Sequence, residues 1–112
     1  MIKSSITKNL VFNDEKPEIS VLFESDYTKE IRIAMKPMQQ MKEHKTKFPI
    51  VVEIFSGSIN FGVNGEKHKL VKGDVIALEG SVPHDLVAIE ESIIRLTLSV
   101  NDDSNRVKNV VK

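Results

Sequence analysis

The sequence predicts a single all-β domain, built as a sandwich or barrel of short strands. Its 112 residues suffice for one domain with one hydrophobic core. Along most of the chain apolar residues alternate with polar ones at a period of two, which is typical of strands with one buried face. Turn signals separate these runs, and no stretch has a convincing helical period. Together these observations predict about eight to ten short strands.

Along the chain, runs of alternating apolar and polar residues are separated by turn signals. The clearest runs cover residues 19–23, 31–35, 59–63 and 94–100. Asn64-Gly65 is the strongest turn signal, because a type I′ hairpin turn needs positive φ at both central residues. Other turn signals centre on Gly57, Gly73 and Gly80. Each signal separates two strand-like runs, as expected for antiparallel neighbours.

The two ends of the chain differ from the predicted barrel core, which spans about residues 30–100. Residues 1–17 form an N-terminal arm whose single apolar cluster, Leu10-Val11-Phe12, can add a strand to this barrel or to a partner's. Residues 101–112 form a polar C-terminal tail. We therefore interpret residues 1–112 as one domain with an arm at one end and a tail at the other.

Composition excludes several classes of function. Sixteen basic residues balance sixteen acidic ones and are scattered along the chain, so we expect no binding to nucleic acid. The chain has no cysteine, which excludes disulfides, thiolate nucleophiles and zinc–thiolate sites. No apolar run approaches the roughly 20 residues that span a bilayer, and the first residues lack the apolar core of a signal peptide. These features predict a cytoplasmic protein without membrane contact.

Residues 41–57 resemble the first motif of the cupin superfamily, which runs His-x-His, then Glu, then Gly. The last glycine of the motif corresponds to Gly57. Counting back from it places His44 and Thr46 at the two histidine positions and Ile50 at the glutamate position. The first segment therefore keeps one of the three polar residues of the motif.

Residues 73–84 resemble the second cupin motif, which begins with glycine and ends with histidine. Gly73 and His84 occupy those two positions, and Pro83 precedes the histidine, although the central Pro-x-Gly is altered. The resemblance implies a cupin-type double-stranded β-helix, that is, a jelly-roll barrel. It also implies a homodimer, since small cupins usually pair.

The resemblance also implies a metal site, but an incomplete one. Cupins usually hold a metal ion with three histidines and one glutamate facing into the barrel. Here His44 and His84 are the only ligands kept, and they are candidate ligands for iron, nickel, manganese or zinc. Thr46 and Ile50 stand at the other two positions, and neither replaces an imidazole or a carboxylate. Alternation places Glu53 on the opposite face, so the sequence favours a barrel without a cofactor.

Three functions fit these residues, and whether the protein is an enzyme stays open. The first is a binding module for a small molecule, in a pocket with the candidate lining His44, Thr46, Ile50, Val52, His84 and Leu86. The second is a metal-dependent dioxygenase or isomerase that uses His44 and His84. The third is a structural or regulatory homodimer.

These functions require different interiors and surfaces. A binding module requires a cavity, and alternation places Ile54 and Ala88 inward beside the candidate lining. An enzyme requires a third metal ligand or an acid beside His84. A dimer without a ligand requires a filled core and an apolar outer face, for which Val87 and Ile89 are candidates.

Overall fold

The computed structural model describes residues 1–100 and contains nine β-strands in that range. In chain order they are β1 Glu18–Glu24, β2 Thr28–Met35, β3 Gln40–His44, β4 Ile50–Ser56, β5 Ser58–Val63, β6 Glu66–Val71, β7 Val75–Leu78, β8 His84–Ala88 and β9 Ser92–Ser99. The number of strands lies within the predicted range. The predicted polar tail, residues 101–112, lies outside the described residues. Within residues 1–100, no helix is long and apolar enough to cross a membrane.

The strands form two antiparallel sheets. The five-stranded sheet has the order β1-β2-β9-β4-β7, and the four-stranded sheet has the order β3-β8-β5-β6. Many neighbours in a sheet, such as β2 and β9, are distant in sequence, because the chain crosses repeatedly between the two sheets. This connectivity is that of a jelly roll. The predicted all-β, double-sheet architecture is confirmed.

One hydrophobic core fills the space between the sheets. Ile54 of β4, Ile59 of β5 and Ile94 of β9 have no exposed surface at all. Period-two alternation places such residues on the inner face of each strand, as the sequence predicts. The core comprises Ile31, Ile33, Met35, Met41, Ile50, Val52, Ile54, Ile59, Phe61, Leu70, Leu86, Ala88, Ile94, Leu96 and Leu98.

Two glycine turns set the path of the chain between strands. Asn64 and Gly65 have φ angles of 51° and 80° and join β5 to β6, so the predicted hairpin is confirmed. Gly57, with φ of 88°, joins β4 of one sheet to β5 of the other. A Cβ at Gly57 would lie 2.3 Å from the Oγ of Ser92, so this crossing between the sheets leaves no room for a side chain.

The outer face of the five-stranded sheet carries an ion-pair network. Arg95 donates from Nε to Glu53 at 2.9 Å and from Nη1 to Glu30 at 2.8 Å. Glu30 also accepts hydrogen bonds from the hydroxyls of Thr28 and Thr97. Burial lowers the pKa of the Arg95 guanidinium, but the hydrogen bonds and charges of the two glutamates outweigh it and leave that pKa raised. The network joins β2, β9 and β4, and it turns Glu53 away from the core as alternation predicts.

The N-terminal arm lies against β2 without forming a strand within residues 1–17. The buried guanidinium of Arg32 donates to the backbone carbonyls of Ile6, Lys8 and Asn9. Asp14 accepts a hydrogen bond from Lys36, which lowers the pKa of the Asp14 carboxyl. Side chains of β2 and of the turn after it, rather than backbone pairing, therefore hold the arm, and its apolar cluster adds no strand to this barrel.

Candidate functional site

A β-bulge in β3 brings two histidines into register. Met41 of β3 pairs with Leu86 of β8, and His44 pairs with His84, so β3 has one more residue than β8 between the two pairs. Three positions apart in a regular strand, Met41 and His44 would face opposite sides of the sheet. The bulge removes this difference, and both side chains face the barrel interior.

The two imidazole rings lie against each other. Their centroids are 4.3 Å apart at an interplanar angle of 59°. The His84 ring also stacks on Phe61, with centroids 5.7 Å apart at an interplanar angle of 15°. His84 is buried, whereas His44 is partly exposed. The pair therefore lies at the edge of the core, with one ring inside and one reaching towards solvent.

Backbone carbonyls determine the tautomer of each ring. Nδ1 of His44 lies 2.9 Å from the carbonyl oxygen of Lys42, and Nδ1 of His84 lies 2.9 Å from that of Val82. A carbonyl oxygen can only accept, so Nδ1 is the donor in both rings. In the neutral state each ring then carries its lone pair on Nε2, the atom that can accept a hydrogen bond or bind a metal.

The histidine pair forms the polar part of a small apolar cavity between the sheets. The cavity has a volume of about 20 Å³, room for little more than one water molecule. Met41 and Phe61 line it from the four-stranded sheet, beside the two histidines. The lining residues are Ile33, Met41, His44, Ile50, Val52, Phe61, His84, Leu86, Ile94 and Leu96.

Five of the six predicted pocket residues line this cavity: His44, Ile50, Val52, His84 and Leu86. Thr46, the sixth, is buried but is not one of the lining residues. Its hydroxyl accepts a hydrogen bond from the backbone N–H of Phe48. The sequence analysis did not include five further lining residues: Ile33, Met41, Phe61, Ile94 and Leu96. Alternation marks four of these as inward, but the bulge conceals Met41.

The residues present do not fit the metal site that the cupin resemblance implies. Catalytic zinc sites use three protein ligands and an open position. Residues 1–100 contain no cluster of three or more histidine, aspartate or glutamate side chains with the geometry of a metal site. Glu43 is exposed, and Glu53 is bound to Arg95 on the outer face, so neither carboxylate joins the two imidazoles. Among the described residues, the cavity lining therefore offers two imidazole nitrogens as metal ligands and no carboxylate.

A second cavity lies beside the first, between the edge strands β6 and β7. It has a volume of about 280 Å³ and is lined by Phe61, Val63, His68, Leu70, Ile76, Ala77 and Leu78. Phe61 contributes to both cavities and therefore separates them. His68 is the third histidine of the chain, and about half of its side chain is exposed.

Comparison of the whole fold with solved structures gives close matches. An RmlC-like cupin protein from Desulfovibrio desulfuricans superposes with a TM-score of 0.80 at 19% identity, over 88% of this chain and 96% of the other. The TT1209 protein from Thermus thermophilus gives a TM-score of 0.77 at 21% identity, over 88% and 98%. This chain has the cupin fold. No protein-family model matches the sequence, and no curated protein matches it.

A third solved structure agrees with this assignment. A conserved protein with a double-stranded β-helix domain from Klebsiella pneumoniae superposes with a TM-score of 0.74 at 18% identity, over 85% of each chain. At such identities the similarity establishes the architecture, while function depends on the residues of the site.

Proposed function

We propose that this cupin-fold protein binds a small, largely apolar molecule between its sheets without a metal ion. The observation that carries the proposal is the in-register pair His44 and His84, whose Nδ1 atoms both donate to backbone carbonyls. Each neutral ring can then accept a hydrogen bond at Nε2. The rest of the lining is aliphatic, aromatic or thioether. The ligand that suits this surface is an apolar body bearing one hydrogen-bond donor.

The size of the cavity limits the ligand. A volume of about 20 Å³ is far below that of ordinary ligand pockets. Side chains must therefore move when a ligand enters. Met41 is suited to this, because its unbranched thioether side chain adopts many shapes at low energy. We therefore expect a ligand of about one ring, which enters with displacement of Met41.

The proposal is tested with two probes of similar shape, phenol and toluene. Phenol has an apolar ring and one hydroxyl donor, whereas toluene has no donor. We expect the wild-type chain to prefer phenol by about two- to tenfold, since a neutral hydrogen bond contributes about 0.5–1.5 kcal/mol. NMR titration of the backbone amides of β3 and β8 measures both affinities.

Matched variants locate the binding site. The change His84→Leu removes one of the two acceptors from the cavity and is expected to reduce the preference for phenol, and the double change of His44 and His84 to Leu is expected to abolish it. His68→Leu is the control, because His68 lines the second cavity and not the first, and it is expected to keep the preference. Equal affinity of wild-type protein for the two probes, or a preference unaffected by His84→Leu, contradicts the proposal.

A metal-dependent dioxygenase or isomerase has less support from the site. Such an enzyme needs a third ligand or an acid near His84, and the lining supplies neither. The two histidines can accept and donate protons, but the cavity lining contains no carboxyl or other titratable group besides them. A binding role, in contrast, requires only the two imidazoles and the apolar side chains that line the cavity.

A further inference from the structure

We propose that the second cavity is a binding site in its own right, for a neutral molecule of two fused apolar rings that carries one hydroxyl group. The cavity lies between β6 and β7, the edge strands of the two sheets. Among the described strands, β6 pairs with β5 and β7 pairs with β4, so the two edges are not bonded to each other. This inference does not depend on the function proposed for the central cavity.

The turn that joins β6 to β7 ties both walls of this cavity to β4. The N–H of Gly73 donates to the carbonyl oxygen of Ile54 at 2.7 Å, and the N–H of Ile54 donates to that of Asp74 at 2.9 Å. The N–H of Asp74 donates in turn to the carbonyl oxygen of Val71. The end of β6 and the start of β7 are therefore held by backbone hydrogen bonds. A cavity with walls fixed in this way is pre-formed, as ligand sites usually are.

Apolar side chains from the inner faces of both sheets line the cavity. Ile76 and Leu78 of β7 pair with Val52 and Ile50, which places them on the inner face of the five-stranded sheet. Both nevertheless stay partly exposed, and Leu70 of β6 lines the same cavity from the other sheet. A ligand that removes these side chains from water gains the free energy of apolar burial. The lining therefore favours an apolar ligand.

The volume of the cavity sets the size of this ligand. An enclosed apolar cavity of about 150 Å³ is large enough to bind benzene. The second cavity has a volume of about 280 Å³, and the central cavity only about 20 Å³. Two fused rings thus match the second cavity and exceed the central one, so a two-ring molecule distinguishes the two sites.

His68 is the polar group of this site and lies at its rim. Among the described lining residues it is the only polar one. It pairs with Phe61, which places its ring on the inner face, yet about half of its side chain is exposed. An imidazole can donate a hydrogen bond to a ligand hydroxyl or accept one from it.

The charge near this imidazole favours a neutral ligand. The carboxylate of Glu66 lies 3.8 Å from Nε2 of His68 and opposes an anionic group beside the ring. A charged group of either sign would also lose its hydration among the apolar side chains of the lining. A hydroxyl group can bond to His68 without these costs.

NMR titration with indan-5-ol and indane tests the site. Both probes have two fused rings, but only indan-5-ol carries a hydroxyl group. We expect indan-5-ol to shift the backbone amides of β6 and β7 and to bind about two- to tenfold more tightly than indane, the contribution of one neutral hydrogen bond. The change His68→Leu should abolish this preference. Intermolecular NOEs to the methyl groups of Leu70, Ile76 and Leu78 locate the probe in the wild-type chain, without any substitution.

Matched tryptophan variants test whether the cavity itself holds the probe. His68→Trp fills the cavity from its rim and should raise the Kd of indan-5-ol at least about tenfold, as expected when apolar contacts are lost. Lys69→Trp is the control, because alternation places the next residue of β6 on the outer face, and it should leave the Kd unchanged. His84→Leu should also leave it unchanged, since His84 lines the central cavity and not the second.

Three results would overturn the proposal. The first is a lack of NOEs between indan-5-ol and the three methyl-bearing residues, a result that holds even if His68→Trp impairs folding. The second is an equal effect of the two tryptophan variants on the Kd. The third is equal affinity of the wild-type chain for indan-5-ol and indane, which would leave His68 without a part in binding.

Discussion

The four-stranded sheet lines the central cavity with His44, His84 and Phe61, whereas the five-stranded sheet lines it with aliphatic side chains alone. On its outer face the five-stranded sheet carries the Arg95 ion-pair network. The five-stranded sheet therefore keeps these charged groups outside the core, whereas the four-stranded sheet places two imidazoles in the interior.

This difference bears on the metal site that the cupin resemblance implies. In the cupin motif the glutamate position lies on β4, and Ile50 occupies it here. The imidazoles of the four-stranded sheet thus face a hydrocarbon wall where a carboxylate would complete the ligand set. In the proposed function, this wall would contact the apolar part of the ligand, and the two imidazoles of the opposite wall would accept its hydrogen bond.

The largest effect is expected from placing a carboxylate on the aliphatic wall. Ile50 is 4% exposed, so Ile50→Glu buries a carboxyl group without a partner. We expect a loss of about 3–5 kcal/mol in the free energy of unfolding at neutral pH. Zinc should restore part of this loss, because the introduced carboxylate would join His44 and His84 as a third ligand. Urea denaturation with and without zinc measures both effects.

The control for this experiment is Ile50→Gln, because glutamine has the same shape as glutamate but no carboxylate. It should be destabilised as well, but zinc should not restore its stability. If zinc stabilises the wild-type chain as strongly as Ile50→Glu, the two walls do not differ in the way described, and the two histidines suffice to bind the metal.

A smaller effect is expected where the chain passes from one sheet to the other. Gly57 combines positive φ with a contact to Ser92 that a methyl group would violate. Gly57→Ala should lower the free energy of unfolding by about 2–4 kcal/mol, since the backbone strain alone contributes about 1–3 kcal/mol. Gly65→Ala is the matched control, because Gly65 has positive φ but open space around it.

The difference between the two glycine variants in thermal or urea denaturation isolates the close contacts with Ser92 and with the carbonyl oxygen of Glu91. Gly65→Ala should lower the free energy of unfolding by only about 1 kcal/mol, because it adds backbone strain at positive φ without a steric clash. Equal losses would mean that the turn between the sheets tolerates a side chain, and that the Ser92 backbone moves to accommodate it.

Much of the fold was predictable because it depends on local signals. Period-two alternation marks β1, β2, β5 and β9, and Asn64-Gly65 marks the hairpin between β5 and β6. The order of strands within each sheet has no such local signal, since β2 pairs with β9 across most of the chain. The cupin resemblance supplied that part of the architecture.

The site was less predictable for two physical reasons. The bulge in β3 has no marker in the sequence, and it reverses the face of Met41 relative to His44. The cavity volume depends on how Met41 and Phe61 pack, which alternation does not describe. Motif spacing could place His44 and His84 in the barrel interior, where they were expected to face each other across the barrel. Only the packed structure shows that they are neighbours on adjacent strands and how little room remains beside them.

The smallest effect is expected on the outer face of the five-stranded sheet. Glu30→Gln removes the charge that faces Arg95, and Glu53→Gln is the matched change at the other acidic partner. The side chain of Glu30 is 9% exposed and that of Glu53 is 30% exposed. We expect Glu30→Gln to lower the free energy of unfolding by about 1 kcal/mol and Glu53→Gln to lower it by less, because solvent screens the more exposed Glu53–Arg95 pair.

Urea denaturation at low and high salt measures this difference, and salt should reduce the loss in both variants. Neither change should alter the preference for phenol over toluene, because the network lies on the far side of the sheet from the cavity. A change in that preference would mean that the outer network adjusts the aliphatic wall through the strands themselves. The contrast between a polar outer face and an apolar inner face would then describe one coupled element rather than two independent surfaces.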